Sequence, residues 1–400
     1  MRVLSLSCVY PNPSEPGLGV FVRARLQRLA LLAQVKVLAP IAGLEYAGAS
    51  ARRFGRGGVP FRRDDGPVEV LHPLWMYPPG GGCVNTVLLY LRLLPCALRI
   101  RGRFRPQLID AHFGYPDGVS ACLLAATLRV PLVLTLRGNE SMHARRPVRG
   151  LLMRWAMRRA ARVITVSERL RELAMSAGTP SENIRLIPNG VDSGVFHPRD
   201  QAECRRKHGI PAGEKVILSA GTLIERKGHH RVIEAVAALV REGARCHLVI
   251  AGGSGREGRF ERDIESAIRE FGLQSQVRLE GHVAPEPLAE LMCAADALAL
   301  ASTREGWPNV VHEAMACGLP VVATDVGAVP QMIPSADYGL VVRGGDSRAL
   351  QDALRRALQL RWDRPKIAAW AQSRSWDAVA GEVLALMREV VDPEERGEIA

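Results

Sequence analysis

Short apolar runs alternate with amphipathic segments along most of the chain. The alternation is most regular in the second half, where it has the period expected of strands followed by helices. The predicted strands are 215–220, 245–251, 277–280, 296–301 and 320–324, and the predicted helices are 229–242, 260–271, 286–294 and 309–317. This pattern is typical of an α/β domain built on a parallel, doubly wound sheet.

The first half shows the same alternation with longer interruptions. The predicted strands are 3–9, 35–39, 68–73, 108–112, 130–136, 163–166 and 184–187, and the predicted helices are 20–32, 84–100, 119–128, 148–162 and 168–177. Residues 43–66 are rich in Gly and Arg and lack an apolar period, so we predict a loop there with at most an edge strand. The first half is therefore predicted to be a second doubly wound sheet.

The length of 400 residues exceeds what one compact core holds and fits two domains of roughly 200 residues each. A turn sequence at 188–192 opens a polar stretch that reaches about residue 213, and we place the boundary at its start. We predict an N-terminal domain over 1–188, a second domain over 189–375 and a final helix over 376–391 that returns to the first domain.

The chain carries a net charge of +12, and only five of its 53 basic residues are Lys. Two explanations remain open: a codon bias toward Arg, and an anionic partner such as a membrane surface, an acidic acceptor or nucleic acid. The eight Cys, among them Cys83, lie mostly in apolar runs without a C-x-x-C pair and are predicted to be reduced thiols. No D-x-D or other metal-ligand spacing occurs, so no metal site is predicted.

Targeting signals are also missing from the pattern. The first apolar run ends at 11–13 without the small-residue cleavage site of a signal peptide, so we predict a buried strand. No segment reaches about eighteen uninterrupted apolar residues, which a membrane-spanning helix requires. We therefore expect a cytoplasmic protein.

The stretch 304–330 combines two carboxylates with a turn that leads into a helix. Glu305 and Glu313 bracket the turn Gly306–Pro308 and a helix that starts at Asn309. Pro is tolerated in a first helical turn, and the free N–H groups of a helix start attract phosphate. The stretch predicts a site for a phosphorylated ligand that also carries hydroxyls.

Three more loops of the second half follow predicted strands, and ligands of open parallel sheets bind at the carboxyl ends of strands. The loop 221–228 contains Gly221 and the adjacent cations Arg226 and Lys227, the loop 251–255 is rich in Gly, and the third is 281–283. Two cations could stabilise a leaving diphosphate as a glycosyl–phosphate bond breaks. The alternative for this pair is a solvated turn.

The first half offers three candidates at corresponding places. Gly19, with Gly17, lies where a strand feeds a helix, which permits either close approach of a ligand to the backbone or a plain turn. His112 and Arg137 end two predicted strands and are acceptor-side candidates. For His112 a purely structural role is the alternative.

The predicted helix 148–162 is strongly basic. It carries Arg149, Arg154, Arg158, Arg159 and Arg162 among apolar residues. That composition suits the surface of an anionic membrane. The alternative is a helix that packs its apolar side on the sheet and solvates its Arg side.

Several of these motifs together resemble glycosyltransferase family 4, the retaining GT-B enzymes, whose two doubly wound domains face each other across a cleft. The resemblance rests on residues 305–330, on IPNGVD at 187–192 and on ERKG at 225–228. In the first half, YPNPSEPGLGVFV at 10–22, AHFGYPDG at 111–118 and TLRGNE at 135–140 resemble bacterial members that build surface polysaccharide, such as teichuronic-acid-type transferases.

This resemblance implies a metal-independent transfer of sugar from a nucleotide-sugar donor to a sugar or lipid-linked acceptor, with retention of anomeric configuration. Glu305 would contact hydroxyls of the donor sugar, Glu313 the ribose, and Lys227 with Arg226 the diphosphate. The remaining donor contacts implied are Gly306, Trp307, Pro308, Asn309 and Val310 at sugar and diphosphate, Gly281, His282 and Val283 at the base, Gly221 in the cationic turn, and Gly19 from the first domain.

The chain departs from the family pattern at three positions. Thr222 stands where the family usually has Arg, so Arg226 is the candidate replacement cation. Arg137 stands where many members have His, and it is a candidate for contacting an anionic acceptor or phosphate. Gln331 stands where Glu is frequent.

Two other hypotheses compete with the transferase. One is a related GT-B enzyme, a sugar-nucleotide epimerase or a phosphorylase. The other is a basic nucleic-acid-binding protein, which the absence of aromatic platforms and of any recognised reading motif disfavours. We therefore expect no nucleic-acid partner.

Overall fold

The computed structural model describes residues 1–47, 51–54, 57–76, 82, 84–254 and 260–392. The chain separates into two compact units, one formed by Met1–Asn189 together with the segment from Trp376 onward, the other by Gly190–Ser375. Cys83 and Gly255, for which the sequence predicts a reduced thiol and part of a ligand loop, lie outside the described residues.

The first unit contains the strands β1–β12 and the helices α1–α6 and α15, with labels in chain order. Its strands are β1 Arg2–Leu6, β2 Gln34–Leu38, β3 Ile41–Ala42, β4 Leu44–Ala47, β5 Ala51–Phe54, β6 Arg62–Asp65, β7 Val68–Leu71, β8 Leu74–Trp75, β9 Leu108–His112, β10 Leu132–Leu136, β11 Arg162–Thr165 and β12 Ile184–Leu186. Its helices are α1 Val20–Ala30, α2 Val84–Phe104, α3 Val119–Leu128, α4 Glu140–Ala144, α5 Pro147–Arg159, α6 Glu168–Ser176 and α15 Trp376–Val391.

Eight strands of this unit form one sheet in the order β12-β11-β10-β9-β1-β2-β7-β6. All neighbours are parallel except β6, which runs antiparallel to β7 at the edge. The central strands are buried on both faces because helices cover both sides of a parallel sheet. The strand order reverses between β1 and β9, and such a switch point is where doubly wound sheets bind ligands.

Helix α15 belongs to the core of the first unit. It packs against α1, and its buried Val379, Val383 and Met387 share one apolar cluster with Leu26 and Leu29. The core of the first unit is thus built from two separate parts of the chain.

The second unit contains β13–β18 and α7–α14. Its strands are β13 Lys215–Ala220, β14 Cys246–Ala251, β15 Val277–Gly281, β16 Ala297–Leu300, β17 Val321–Thr324 and β18 Gly339–Val342. Its helices are α7 Gln201–Lys207, α8 His229–Arg241, α9 Phe260–Glu270, α10 Pro285–Ala294, α11 Asn309–Ala316, α12 Val329–Met332, α13 Ser347–Gln359 and α14 Arg364–Gln372.

The six strands of the second unit form one parallel sheet in the order β15-β14-β13-β16-β17-β18. Two apolar clusters cover its two faces. The order reverses between β13 and β16, so the loops that follow these two strands meet at the switch point. The α/β class predicted from the alternation is confirmed in both units.

Several predicted segments differ from the structure, among them the first strand, which ends at Leu6 instead of residue 9. The basic helix ends at Arg159 instead of 162, and Arg162 lies on β11, where its side chain is buried and donates to the carbonyl of Ala161. The segment 43–66 contains the hairpin β4–β5 besides the edge strand β6. Helix α2 continues to Phe104 through Pro95.

Within the described residues, no helix combines the length and the apolar character needed to cross a membrane.

Candidate active site

Three glycine turns meet at the carboxyl ends of β13, β14 and β15. The N–H of Gly221 donates to the carbonyl of Ala251 (2.9 Å), and that of Gly252 donates to the carbonyl of Gly281 (2.7 Å). A Cβ at Gly252 would lie 1.8 Å from the carbonyl oxygen of Gly221, which leaves no room for any side chain. The turns at this edge of the sheet therefore pack backbone against backbone, which requires glycine at position 252.

The next turn brings two cations to the switch point. Glu225–Lys227 form a 3-10 turn that ends at Gly228. Gly228 has a φ of 75° and is the N-cap residue of α8. A Cβ at Gly228 would lie 2.0 Å from the carbonyl oxygen of Ala301, so the turn packs directly on the end of β16. The stem of Lys227 packs beside Gly221, since a Cβ at that glycine would lie 3.5 Å from Cδ of the lysine.

Glu305 forms ion pairs with both cations. Its Oε1 lies 2.8 Å from Nζ of Lys227 and accepts the hydroxyl of Ser302 at 2.8 Å, and its Oε2 lies 3.3 Å from Nη1 of Arg226. Burial raises the pKa of Glu305, but the charges of Lys227 and Arg226 and the hydrogen bonds outweigh it, so the pKa stays below its usual value. Glu305 is ionised, and Arg226 and Lys227 are ion-paired rather than merely solvated.

Glu313 has the opposite electrostatic environment. It lies in α11, half-buried, and burial raises its pKa to about 7, with only the charge of Lys227 acting in the other direction. Lys227 thus acts on both carboxyl groups, one held ionised and one near half-protonation at neutral pH. Arg226 and Lys227 contact Glu305 directly, and Glu313 is linked to them through the charge of Lys227.

The turn between the two glutamates is held by the loop that follows β17. The N–H of Ala328 donates to the carbonyl of Gly306 (3.0 Å), and a Cβ at Gly327 would lie 2.5 Å from the carbonyl oxygen of Glu305. Trp307 packs edge-on against His312, with ring centroids 5.7 Å apart. Pro308 is the N-cap residue of α11, and Asn309 and Val310 begin its first turn.

The candidate base-side loop lies next to the glycine turns. A Cβ at Gly253 would lie 3.4 Å from Cβ of His282, whose side chain is exposed, whereas Val283 packs against the apolar core. Gly281 has a φ of 65°, which favours glycine. Gly221, Gly281 and His282 are therefore neighbours along one edge of the sheet.

In the first unit, the switch point lies between the loops after β1 and β9. Gly19 precedes α1 with a φ of 70°, and a Cβ there would lie 2.3 Å from the carbonyl oxygen of Val9. The N–H of Cys8 donates to Asp117 (3.0 Å), which joins the two loops. Burial raises the pKa of Asp117 to about 7.

His112 is fully buried in an ionic network, and its side chain does not face solvent. Its Nε2 lies 3.2 Å from Asp110, and its Nδ1 lies 2.9 Å from Nη2 of Arg137. Because Arg137 can only donate, Nδ1 accepts and the ring proton is on Nε2, toward Asp110. Burial and the charge of Arg25 lower the pKa of His112 to about 3, so the ring is neutral.

Arg137 is buried and anchored at several points. Nη1 donates to Oδ1 of Asn189 (2.7 Å), Nη2 donates to His112, and the guanidinium lies 5.3 Å from the ring centroid of Phe21. Glu140 accepts the backbone N–H groups of Gly114 (2.9 Å) and of Arg137 and so fixes the loop after β10. Arg137 links the end of β9 to the IPNGVD segment.

The rest of this network is not among the residues that the sequence predicts for a site. Arg25, on α1, donates to both oxygens of Asp110 (2.7 and 2.8 Å) and to the hydroxyl of Thr135 (2.9 Å). Burial raises the pKa of Asp110, but Arg25 and His112 outweigh it and hold the pKa well below its usual range. The available signal was a charged residue at a core position of an apolar run, as in LIDAH at 108–112 and on the buried face of α1.

Comparisons with known proteins cover both units. The family model described as Glycosyltransferase Family 4 matches residues 17–194, and the model described as Glycosyl transferases group 1 matches residues 200–374. The chain is 25% identical over 383 residues to the teichuronic acid biosynthesis glycosyltransferase TuaC of Bacillus subtilis, with 92% of each chain covered. It is 26% identical to N-acetyl-alpha-D-glucosaminyl L-malate synthase of Bacillus anthracis, over 64% of this chain and 65% of the relative.

Solved structures share the fold over nearly the whole length. Sucrose-phosphate synthase from Thermosynechococcus elongatus matches with a TM-score of 0.78 and 21% identity, over 97% of this chain and 98% of that one. Anabaena HepE in complex with UDP matches with a TM-score of 0.73 and 22% identity, over 97% and 100% of the two chains. The two family models and these relatives together show that the chain belongs to glycosyltransferase family 4 and is a glycosyltransferase of the GT-B fold.

Proposed function

We propose that the enzyme moves a hexose-type sugar from a nucleotide-sugar donor to a hydroxyl acceptor with retention of anomeric configuration, in the synthesis of a cell-surface polysaccharide or glycolipid. The observation that carries this proposal is the cluster of Lys227 and Arg226 with Glu305, beside Glu313 at the switch point of the second unit. The similarity to TuaC and to a HepE structure that contains UDP supports it.

The two cations supply the charge that a leaving diphosphate needs. Lys227 and Arg226 neutralise the diphosphate together with N–H groups at the start of α11, without a divalent ion. When the diphosphate binds, it shares these cations with Glu305, whose carboxylate then accepts hydroxyls of the donor sugar. Arg226 thereby takes the place of the Arg that is missing at Thr222.

The two carboxyl groups have separate roles in donor binding. Glu313 accepts the ribose hydroxyls. The charge of Lys227 acts on both carboxyl groups, which supports binding of the diphosphate at this lysine. His282 and Val283 border the base, with Gly221 and Gly281 allowing the nucleotide to lie against the backbone. The role of Gly19 in donor binding, which the resemblance implies, stays a prediction.

Transfer with retention follows from attack on one face of the sugar. The acceptor hydroxyl forms its bond to the anomeric carbon on the face from which the phosphate leaves. The bond from the anomeric carbon to phosphate oxygen breaks with its electrons on the diphosphate, which also takes the hydroxyl proton. The switch point of the first unit, around Arg137 and the buried His112, holds the acceptor side in place.

The acceptor is a sugar or a lipid-linked sugar, and the enzyme acts in the cytoplasm at the inner face of the membrane. The basic helix α5 supports the peripheral location, since Arg154, Arg158 and Arg159 are exposed beside Leu151. Basic residues near an anionic leaflet attract it, and an adjacent apolar side chain strengthens the association.

A panel of nucleotides and nucleotide-sugars tests the proposal. Thermal shift should identify one base that stabilises the protein equally with and without EDTA, and Glu313→Ala should weaken that binding. Turnover of the matching nucleotide-sugar with lipid-linked acceptors then identifies the product and its anomeric configuration. Donor consumption without acceptor, dependence on phosphate, or salt-sensitive DNA binding without turnover would contradict the transferase assignment.

A further inference from the structure

Helix α2 is apolar on two opposite faces. Its buried face includes Leu89, Leu93, Ala97 and Ile100. On the opposite side the exposed fractions are 52% for Val84, 47% for Val87, 55% for Leu91 and 46% for Leu98. These four residues, the α2 stripe, recur at intervals of three, four and seven, which places them on one side of a helix. A helix that solvent alone covers carries polar residues there.

The helices of this layer, α2, α3 and α5, carry charges of one sign. Helices α2, α3 and α5 contain no Asp or Glu, and α2 carries exposed Arg92, Arg99, Arg101 and Arg103. The segment 84–159 contains thirteen Arg and three acidic residues, and those acids, Asp110, Asp117 and Glu140, are at most 1% exposed. This segment accounts for ten of the twelve net positive charges of the chain.

The same character extends from α2 across the helical layer. Helix α3 packs against both α2 and α5, and the hydroxyl of Tyr90 on α2 is 2.9 Å from that of Thr127 on α3. Helix α5 adds Val148 and Leu151, which are more than half exposed. The layer therefore combines exposed aliphatic side chains with a field of arginines.

We propose that α2 is the membrane-docking element of the enzyme and lies flat in the headgroup region of an anionic bilayer. The α2 stripe enters the acyl boundary, and Arg99, Arg101 and Arg103 contact lipid phosphates. A nucleic acid would match the arginines but leave the α2 stripe in water. A neutral protein groove would match the stripe but leave the arginines without partners, so an anionic lipid surface satisfies both.

This inference rests on the proposed function for one point only, the lipid-linked nature of the acceptor. It moves the main anchor from α5, for which a membrane surface is one of two sequence-based interpretations, to α2. The first unit would then present its acceptor side to the membrane in which such an acceptor resides. Vesicle binding without any substrate tests the docking separately from the transfer reaction.

The test is flotation of the full-length protein with vesicles of phosphatidylcholine alone or mixed equally with phosphatidylglycerol. The wild type should float only with the mixed vesicles. The triple variant Val87→Gln, Leu91→Gln, Leu98→Gln should reduce the vesicle-bound fraction by about tenfold or more, because it removes the inserting side chains. Arg99→Gln, Arg101→Gln, Arg103→Gln should do the same, whereas the corresponding Lys variants should retain binding.

Matched controls separate the surface from general effects on the protein. Leu31→Gln, Leu32→Gln, Met175→Gln removes as many exposed apolar side chains from other parts of the first unit, and Arg343→Gln, Arg348→Gln, Arg361→Gln removes as many exposed charges from the second unit. Both controls should float as the wild type does. Thermal unfolding should be alike in all variants.

Three results would overturn the docking proposal. They are a wild type that stays with the unbound fraction, a stripe variant that floats like the wild type, and a wild-type dimer that the stripe substitutions dissociate. If nucleotide-sugar turnover persists in those cases, the transferase assignment stands while the docking proposal falls. If flotation behaves as expected and turnover is absent, the docking proposal stands and the transferase assignment falls.

Discussion

The ammonium group of Lys227 lies 2.8 Å from Oε1 of Glu305. The two residues are 78 positions apart and follow the two strands, β13 and β16, at which the order of the second sheet reverses. Lys227 also lowers the pKa of Glu313 against the effect of burial. One lysine is thus the common electrostatic partner of both donor-side carboxyls.

Lys227→Met should abolish most transfer. The substitution removes a diphosphate cation and also leaves Glu305 with Arg226 as its remaining cationic partner. We expect kcat to fall by about 10²–10³-fold, the usual cost of removing one preorganised charge partner. Lys366→Met, which removes an exposed lysine from the same unit, is the control and should leave kcat unchanged. If kcat of Lys227→Met fell by less than about threefold, the proposed role of this lysine at the diphosphate would be contradicted.

Donor binding should depend on pH through Glu313. Its pKa of about 7 means that the carboxyl becomes protonated as the pH falls from 8 to 6, and a protonated carboxyl is a poorer acceptor for ribose hydroxyls. In calorimetric titrations, the Kd of the nucleotide should therefore rise as the pH falls from 8 to 6. Glu313→Gln should bind weakly at both pH values, and an unaltered pH profile in that variant would assign the titration to another group.

The same group should affect stability in the opposite direction. Its folded-state pKa is raised above the ordinary value of 4.5, so its contribution to stability is fully present below pH 4.5 and is lost as the pH rises through about 7. The ligand-free Glu313→Gln variant should therefore have a higher Tm than the wild type at pH 8 and a similar Tm at pH 5. Calorimetry at the two pH values checks the sign.

Gly252→Ala should disrupt the glycine edge. The added Cβ would lie 1.8 Å from the carbonyl oxygen of Gly221, and backbone atoms cannot yield that distance without moving the whole turn. We expect a loss of about 1–3 kcal/mol in the free energy of unfolding, together with weaker nucleotide binding. Gly381→Ala is the control, because a Cβ there meets nothing within 4 Å and the site is helical. Urea unfolding should show it unchanged or slightly more stable.

Asp110→Asn should destabilise the first unit strongly. Arg25 and Asp110 are almost fully buried, and the substitution leaves the guanidinium without its anion. Breaking a buried pair from one side costs about 3–5 kcal/mol. In urea unfolding, the double variant Arg25→Met, Asp110→Leu should lose less free energy of unfolding than the single variant Asp110→Asn does. A single variant within about 1 kcal/mol of the wild type would contradict the network as a determinant of stability.

Charge reversal on α5 should weaken membrane association without abolishing it. Arg154→Glu, Arg158→Glu, Arg159→Glu changes exposed side chains next to Leu151, and repulsion from anionic lipid should lower the vesicle-bound fraction. Arg343→Glu, Arg348→Glu, Arg361→Glu makes the same change of charge elsewhere and should float normally. Unaffected flotation of the α5 variant would exclude this helix from the membrane surface.

Local patterns predicted the elements whose signals are local. Strand β13 and helix α15 begin and end at the predicted residues, because an apolar run or period is bounded there by polar or turn residues. The amphipathic α13, with Asp346 as its N-cap, is absent from the prediction because it lies beyond the regular alternation, which ends at 324. Helix α7 is absent because Cys204 is its only buried residue among the seven.

The candidate site also contains residues that local patterns predict and residues that they do not. The family and the fold class are confirmed, and the residues around Glu305 come from motifs a few positions long. The roles assigned to individual site residues stay predictions. The network of Arg25, Asp110 and His112 could not be found locally, because its partners come from α1 and β9, 85 positions apart. Only the sheet order brings those elements together.

The two-part construction of the first unit has a consequence for biosynthesis. Trp376, Val379, Val383 and Met387 complete an apolar cluster whose other members, such as Leu26 and Val37, are translated first. The ribosome must therefore synthesise the whole of the second unit before the first can close its core. During that interval α1 exposes an uncovered apolar face, so the nascent chain offers a surface that chaperones bind and that the finished enzyme no longer has.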